Sequence, residues 1–294
     1  MDEKQQAFTR RDFVRGAMGA AVGASVFGCG GSVWAADRPA RSSTVVVVRD
    51  QKALDADHKV DVETVKRMLS EALTRATGQK TAKDAWLALV KPEDVVGLVA
   101  TGHLNPTHPE VVQIVRASLV EAGIPEKNLR DAQGGLDKVK PCTALIALPS
   151  LKAHWFTGIG TVLKTYILYS GKAHDYHAEN SVKLGEVWNL PDVKGKTKLI
   201  LVDALRPLCD KGPQVDPRYL WDYRGLMAGT DPVAVETIAV RIITEKRNAL
   251  RGEPWPLSPP PLCVAAADEK YGLGTSRMEE IKLVPVGWEE ERLL

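Results

Sequence analysis

The run at residues 44–48, which reads Thr-Val-Val-Val-Val, is the feature that most constrains the fold. Branching at Cβ favours an extended backbone, and a run without charged side chains predicts a strand that is buried on both faces. Such strands are typical of parallel sheets that helices cover on both sides. The run therefore predicts an α/β fold.

Patterns typical of helices and strands alternate along the rest of the chain. Apolar residues recur at helical spacing over 62–76, and a second helix is predicted to begin at Pro109 and to end at Gly123. Further strands are predicted at 95–100, 143–148, 198–202 and 281–286. The last of these is expected at a sheet edge. This order predicts a mostly parallel or mixed sheet flanked by helices in a single compact domain.

The N-terminus resembles a twin-arginine export signal. Arg10 and Arg11 follow a Thr and are followed by a variable residue and Phe13, as in the twin-arginine consensus. An Ala- and Gly-rich run at 17–27 comes next, and residues 33–36 fit a cleavage site. The run is too short to span a bilayer as a helix, because a spanning helix needs ~20 residues.

These features divide the chain into a signal peptide at 1–36, a linker at 37–43 and an α/β domain at 44–294. The twin-arginine translocase is predicted to carry the protein to the periplasm or another extracytoplasmic compartment. The mature protein is predicted to have no transmembrane helix. An uncleaved N-terminus and a lipoprotein anchored at Cys29 are the alternatives.

Composition excludes some classes of function. The chain has 39 Lys and Arg against 37 Asp and Glu and no basic run, so the electrostatic footprint of a nucleic-acid-binding protein is missing. Cleavage would leave Cys142, Cys209 and Cys263, whose spacing fits neither a zinc ribbon nor an iron–sulfur cluster held by this chain. The three are predicted to be buried thiols or to form one disulfide.

Reactive side chains are densest just after the strand predicted at 143–148. Lys152 and His154 follow it, and Lys164 is predicted one turn into a helix that begins near Thr161. Lysines and imidazoles at the carboxyl edge of a parallel sheet favour anion binding and proton transfer. A solvated surface loop is the alternative. The predicted catalytic residues are Lys152, His154, Lys164 and His174.

Further positions are predicted to hold the ligand or a cofactor. Glycines let a backbone approach a ligand closely, and a helix beginning near Thr161 would direct its N–H groups at an anion. Asp231, which precedes Pro232, fits a plain N-cap equally well. The predicted binding residues are Gly158, Gly160, Thr161, His103, Asp203 and Asp231.

A metal site is a separate hypothesis. His174 and His177 stand three residues apart, a spacing that can place two imidazoles on one helix face as metal ligands. Asp175 or His154 would complete such a site. A pair of exposed or hydrogen-bonded histidines is the alternative.

The order of these motifs resembles the DUF362 family, a domain of unknown function. The resemblance covers about residues 44–286, and Thr165 stands where members of the family often have Asn after the lysine. Some members are fused to iron–sulfur modules, which the cysteines of this chain do not supply. The segments that carry the resemblance are residues 148–154, Leu163 and Lys164, His174, Asp203 and residues 228–235.

Three functions fit these features. The leading hypothesis is an exported protein that binds an anionic small molecule or cofactor at the lysines and histidines, with redox chemistry and metal binding left open. The alternatives are a non-catalytic accessory subunit of a periplasmic redox complex and a metal-dependent hydrolase. Whether the protein is an enzyme is not decided by these motifs.

Overall fold

The β-branched run forms strand β1 (Ser43–Arg49), whose four valines are almost fully buried. In the computed structural model, which describes residues 42–294, β1 lies inside a nine-stranded mixed sheet. The predicted signal peptide and cleavage site lie outside the described residues. The other strands are β2 (Val96–Ala100), β3 (Leu129–Asp131), β4 (Ala144–Leu148), β5 (Ser150–His154), β6 (Gly158–Ile159), β7 (Thr197–Leu208), β8 (Gly225–Gly229) and β9 (Ile281–Gly287).

The strands lie in the order β3-β2-β4-β7-β8-β1-β9. Six of these seven strands point the same way, and β8 runs antiparallel to both of its neighbours, β7 and β1. β5 pairs in parallel with the second half of β7, and β6 pairs antiparallel with β5. The predicted α/β fold with a mostly parallel or mixed sheet is confirmed, and β9 forms an edge as expected.

Helices cover both faces of the sheet and enclose two apolar layers. One layer lies under α1, α2 and α3, and the other lies under α5, α6 and the 3-10 segments that follow β6. The α-helices are α1 (Val62–Thr77), α2 (Ala82–Leu89), α3 (Pro109–Ala122), α4 (Leu136–Val139), α5 (Pro232–Arg251) and α6 (Leu262–Glu269). The 3-10 segments are Gln51–Ala53, Glu126–Asn128, Ile167–Ser170, Ala173–His177, Glu179–Asn189, Pro217–Tyr219 and Met278–Glu280.

The helix ends follow from capping chemistry. Asp61 accepts a hydrogen bond from the backbone N–H of Thr64 and so begins α1. Helix α3 begins at Pro109 and ends at Gly123, whose φ of 107° a residue with a Cβ rarely adopts. Both ends of α3 were predicted from the sequence. Within residues 42–294, no helix combines the length and the apolar character that crossing a membrane requires.

The strand predicted at 143–148 ends at Leu148 as β4, and after Pro149, whose carbonyl accepts from the N–H of Asp203, the chain continues as a further strand, β5. Two local predictions beside the site are wrong. The strand predicted at 198–202 continues to Leu208, so Asp203 lies inside β7 and not at its end. Residues 161–166 form hydrogen-bonded turns in place of the helix predicted near Thr161.

The antiparallel direction of β8 decides the place of Asp231. The carboxyl end of β8 lies beside the start of β7, since Gly229 pairs with Ile200. Asp231 therefore caps α5 at the amino edge of the parallel strands, where it accepts from the N–H groups of Val233 and Ala234. The predicted binding residues are thus divided between two opposite edges of the sheet.

Candidate functional site

A cavity of about 570 Å³ opens beyond the carboxyl ends of β2 and β4. Its walls come from the loop after β2, from β5, and from the turns and 3-10 segments that follow β6. Apart from the phenol of Tyr169, the ionisable side chains among the described lining residues are all basic, and neither Asp nor Glu is among them. They are Lys138, Lys152, Lys164, His103, His154 and His177.

Lys152 lies in β5 and is only 4% exposed. Its ammonium nitrogen donates to the carbonyl of Asn105 at 2.9 Å and to the hydroxyl of Ser150 at 2.6 Å. Burial lowers the pKa of Lys152 to about 7, and the charge of Lys164 acts in the same direction. The Asn105 carbonyl is supplied by a loop under strain, because Leu104 and Asn105 both have positive φ, at 56° and 62°.

Lys164 lies between two imidazoles. Its Nζ is 2.7 Å from Nε2 of His154 and 2.9 Å from Nε2 of His177. The two rings stack with centroids 5.4 Å apart. Among the described side chains, no carboxylate lies within ion-pair distance of Lys164 or Lys152, so an ammonium at either place has no counter-charge in direct contact.

The hydrogen bonds around Lys164 have a defined direction. The N–H of Phe156 donates to Nδ1 of His154 at 3.1 Å. A neutral imidazole carries one proton, so the proton of His154 resides on Nε2 and points at Nζ of Lys164. An ammonium has no lone pair with which to accept it. The contact with His154 therefore requires Lys164 as the neutral amine.

His177 completes this chain of hydrogen bonds. Burial lowers the pKa of His177, and a hydrogen bond between its ring and the backbone of Ala173 acts in the opposite direction, as expected when the ring donates to a carbonyl. Its Nε2 is then the acceptor for an N–H of Lys164. The chain runs from the Phe156 N–H through His154, Lys164 and His177 to Ala173.

Burial favours the uncharged form of all three side chains. It lowers the pKa of Lys164 to about 7, although the nearby thiol of Cys263 acts in the opposite direction. Burial, together with the charges of Lys164, His177 and Lys152, lowers the pKa of His154 to about 2. Burial and then the charge of Lys164 lower the pKa of His177. Near neutral pH both imidazoles are therefore neutral, and the amine is close to its midpoint.

The backbone N–H groups predicted to hold a ligand anion are occupied by the chain itself. The buried carboxylate of Glu236, in α5, accepts from the N–H of Val162 at 2.8 Å and from that of Leu163 at 3.2 Å. Burial raises the pKa of Glu236 to about 7, against the effect of these two hydrogen bonds. Glu236 thus fixes the turn that carries Lys164. A lone Glu within an apolar helical stripe was the signal in the sequence.

The cavity brings together most of the residues predicted for the site. Lys152, His154, Lys164, Gly160, Thr161, His103 and His177 line it. His174 is exposed and is not among the lining residues, and Gly158 packs against the carbonyl of Pro259 so closely that a Cβ would collide with it. Asp203 is buried beside the site, and Asp231 lies at the opposite edge of the sheet. The catalytic and binding roles of all these residues stay predictions.

An Asp–His pair lies next to the cavity and was not predicted from the sequence. Nδ1 of His108 lies 2.7 Å from the carboxylate of Asp203, which also accepts from the N–H of Leu205. Burial lowers the pKa of His108, but the hydrogen bond and the charge of Asp203 outweigh it and leave the pKa raised. From the sequence, His108 and Pro109 fit either a loop at the carboxyl end of β2 or the start of a helix, and the pairing of His108 with Asp203 follows from neither.

The apolar mouth of the cavity was also missed. Four large apolar side chains at the mouth are between 43% and 54% exposed. Exposure on this scale around a cavity indicates a surface that a ligand can cover. Two of them are aromatic and lie between Lys152 and Lys164 in sequence. This combination of bulky apolar and basic residues was the signal in the sequence for such a mouth. The four are Leu104, Trp155, Phe156 and Leu168.

The described part of the chain holds no group of three or more His, Cys, Asp or Glu side chains arranged to bind a metal ion. His177 contacts Lys164, while His174 is exposed. Cys142, Cys209 and Cys263 are free and buried, as the sequence had indicated for buried thiols.

The fold and the cavity define a class, an α/β protein with a cavity lined by basic side chains beyond the carboxyl ends of its parallel strands. Residues 104–241 match the family model described as Domain of unknown function (DUF362). This match supports the family resemblance and includes Lys152, His154, Lys164 and His177. No curated protein and no solved structure matches the chain.

Proposed function

We propose that the protein binds a small organic anion with an apolar body in this cavity. The observation that carries the proposal is the distribution of charge: three lysines and three histidines line the cavity, without an acidic side chain among the described lining residues. A bound carboxylate or phosphate would supply the counter-charge that the Lys152 ammonium lacks, and that Lys164 lacks whenever it is protonated, since a buried cation without a counter-charge is costly.

Lys152 is the primary anion contact in this proposal. Two of its N–H groups are directed by the Asn105 carbonyl and the Ser150 hydroxyl, and the third is left for the ligand. Thr165 adds a hydroxyl that has no hydrogen-bond partner in the described part of the chain and lines the same cavity. The apolar body of the ligand would lie against Trp155 and Phe156 at the mouth.

Calorimetric titration with matched ligands tests this proposal. Phenyllactate and phenyl phosphate should bind, and the neutral analogue 2-phenylethanol should bind at least about tenfold more weakly. Lys152→Met should lose most of the anion affinity, whereas Lys172→Met, at an exposed lysine outside the cavity lining, should keep it. Equal affinities for the neutral and the anionic ligands would contradict the proposal.

The proposal includes export by the twin-arginine pathway, for which Arg10, Arg11 and Phe13 are the support. That pathway carries folded proteins, so a protein of this kind would bind its ligand or cofactor on either side of the membrane. A role as an accessory subunit of a periplasmic complex remains compatible with anion binding. No specific contact among the described residues favours it over a protein that acts alone.

A further inference from the structure

We propose that Lys164 is a nucleophilic amine that forms an imine with the carbonyl group of a 2-oxo acid, whose carboxylate is held by Lys152. The inference rests on the proposed anion binding and adds to it a covalent step and a class of substrate. It starts from the directed hydrogen bonds of the Lys164 amine, which no ordinary surface lysine has.

The first step of the argument is the protonation state of Lys164. The backbone N–H of Phe156 fixes the His154 tautomer and directs its Nε2–H at the lone pair of Lys164. The neutral amine is the form of lysine that attacks a carbonyl carbon, once its lone pair is released from the hydrogen bond with His154. Removal from solvent favours that form, and burial is what lowers the pKa of Lys164.

The second step is the difference between the two lysines. The partners of Lys152 are the carbonyl of Asn105 and the hydroxyl of Ser150, and both oxygens accept from an ammonium. The partners of Lys164 are two ring nitrogens, one of which is a donor to it. Lys152 is therefore suited to hold a negative charge and Lys164 to react with an electrophile beside that charge.

The third step is the chemistry that the groups allow. Nζ of Lys164 attacks the carbonyl carbon, and the C=O π electrons move to the oxygen. The nitrogen passes one proton to Nε2 of His177, 2.9 Å away, and His177 returns that proton to the oxygen, which gives the neutral carbinolamine. A proton from solvent then lets the hydroxyl leave as water, while the nitrogen lone pair forms the C=N bond of the protonated imine. Nε2 of His154, which lies 2.7 Å from Nζ, keeps its own proton.

The neighbouring groups leave this role to Lys164. Glu236 is engaged by the N–H groups of Val162 and Leu163, and Cys263 is buried with a raised pKa, so neither carries a charge in direct contact with the amine. Lys138, which also lines the cavity, is an exposed residue of the short helix α4. Lys164 is the cavity lysine held by the two imidazoles.

Reductive trapping tests the inference on the full-length wild-type protein. The protein is incubated with phenylpyruvate and sodium cyanoborohydride, digested, and its modified lysines are mapped by mass spectrometry. A reduced adduct on Lys164, in a yield well above that on the exposed Lys172, is expected. Lys164→Arg should abolish the cavity adduct, and Lys172→Arg should leave it unchanged.

Phenyllactate, which has a hydroxyl in place of the carbonyl, separates the two proposals. If phenyllactate binds but no adduct forms on Lys164, the imine is excluded and anion binding stands. An adduct on Lys152, or one spread evenly over exposed lysines, would also overturn the inference. If phenyllactate and phenyl phosphate both fail to bind, the proposed function itself fails. Mapping on the wild-type chain keeps the test valid should Lys164→Arg fold poorly.

Discussion

A single backbone contact, from the Phe156 N–H to Nδ1 of His154, determines the chemistry at Lys164. If that N–H were directed elsewhere, His154 would be free to carry its proton on Nδ1, and Lys164 could donate to Nε2 as an ammonium. The exposed Phe156 side chain therefore has a second role through its own backbone. It lies at the mouth of the cavity and at the same time fixes the tautomer of the ring below it.

The lowered pKa values predict the pH dependence of anion binding. The anion prefers the protonated lysines, whose pKa values are both about 7, so affinity for phenyllactate should rise as the pH falls from 9 to 6. Above pH 7, each lysine that must be protonated weakens binding by about tenfold per pH unit. Isothermal titration at several pH values measures this slope.

Variants assign that slope to particular lysines. Lys164→Met should remove its part of the pH dependence, and Lys172→Met should leave the slope as in the wild type. Imine formation should show the opposite trend, because it needs the neutral amine, and the trapping yield should rise as the pH increases through about 7. Affinity that is constant between pH 6 and 9 would contradict the charge states derived for the cavity.

At the scale of elements, the link between α5 and the turn at 161–166 explains how Lys164 is held in place. The two N–H groups of Val162 and Leu163 have Glu236 as their acceptor and would otherwise be left without one. Glu236→Ala should lower the free energy of unfolding by roughly 2–6 kcal/mol, since each of the two unsatisfied buried donors costs ~1–3 kcal/mol. Urea unfolding measures the change.

Glu245→Ala is the matched control for this prediction. Glu245 lies in the same helix and is exposed, so its replacement should change stability by no more than about 0.5 kcal/mol.

The pKa of Glu236 is raised from 4.5 to about 7 in the folded protein, so the folded state binds the proton more tightly than the unfolded state. The wild type should therefore lose stability relative to Glu236→Gln as the pH rises through this window. Full stability in Glu236→Ala would show that the carboxylate does not hold the turn.

The elements differ in how far the sequence predicted them. Local signals predicted three features of the fold. β-branching predicted strand β1, a proline and a glycine predicted the two ends of α3, and a proline after Asp231 predicted the start of α5. The sequence did not predict that the chain continues as β5, because a proline such as Pro149 is typical of a strand end. The carbonyl of Pro149 accepts from the N–H of Asp203, which is distant in sequence. The lysines were found because basic residues cluster in sequence. Their protonation states depend on partners brought together by the fold, which no spacing reveals.

At the scale of the whole molecule, the first strand of the domain is completed by the last part of the chain. β1 pairs with β8 on one side and with β9 on the other, so its neighbours lie roughly 180–240 residues away in sequence. Arg49 reinforces this closure, because its guanidinium lies 4.2 Å from the ring centre of Tyr223 and 4.4 Å from that of Trp288. The sheet is complete only when nearly all of the chain has been synthesised, since such non-local pairing forms late.

This topology bears on the proposed export. The predicted signal is joined through a short linker to β1, and β1 cannot be buried until β8 and β9 are in place. A pathway that carries folded proteins suits this arrangement.

Replacing both Arg10 and Arg11 by Lys should leave the protein in the cytoplasm, because the consensus requires the arginine pair. Arg15→Lys, a change of the same kind outside the pair, should be exported as the wild type is. Cell fractionation followed by immunoblotting measures the distribution, with the size of the exported form reporting cleavage. If the double variant accumulates in the periplasm at the wild-type level, export does not depend on this pair and the twin-arginine proposal is wrong, whereas the cavity and its anion binding are unaffected by that result.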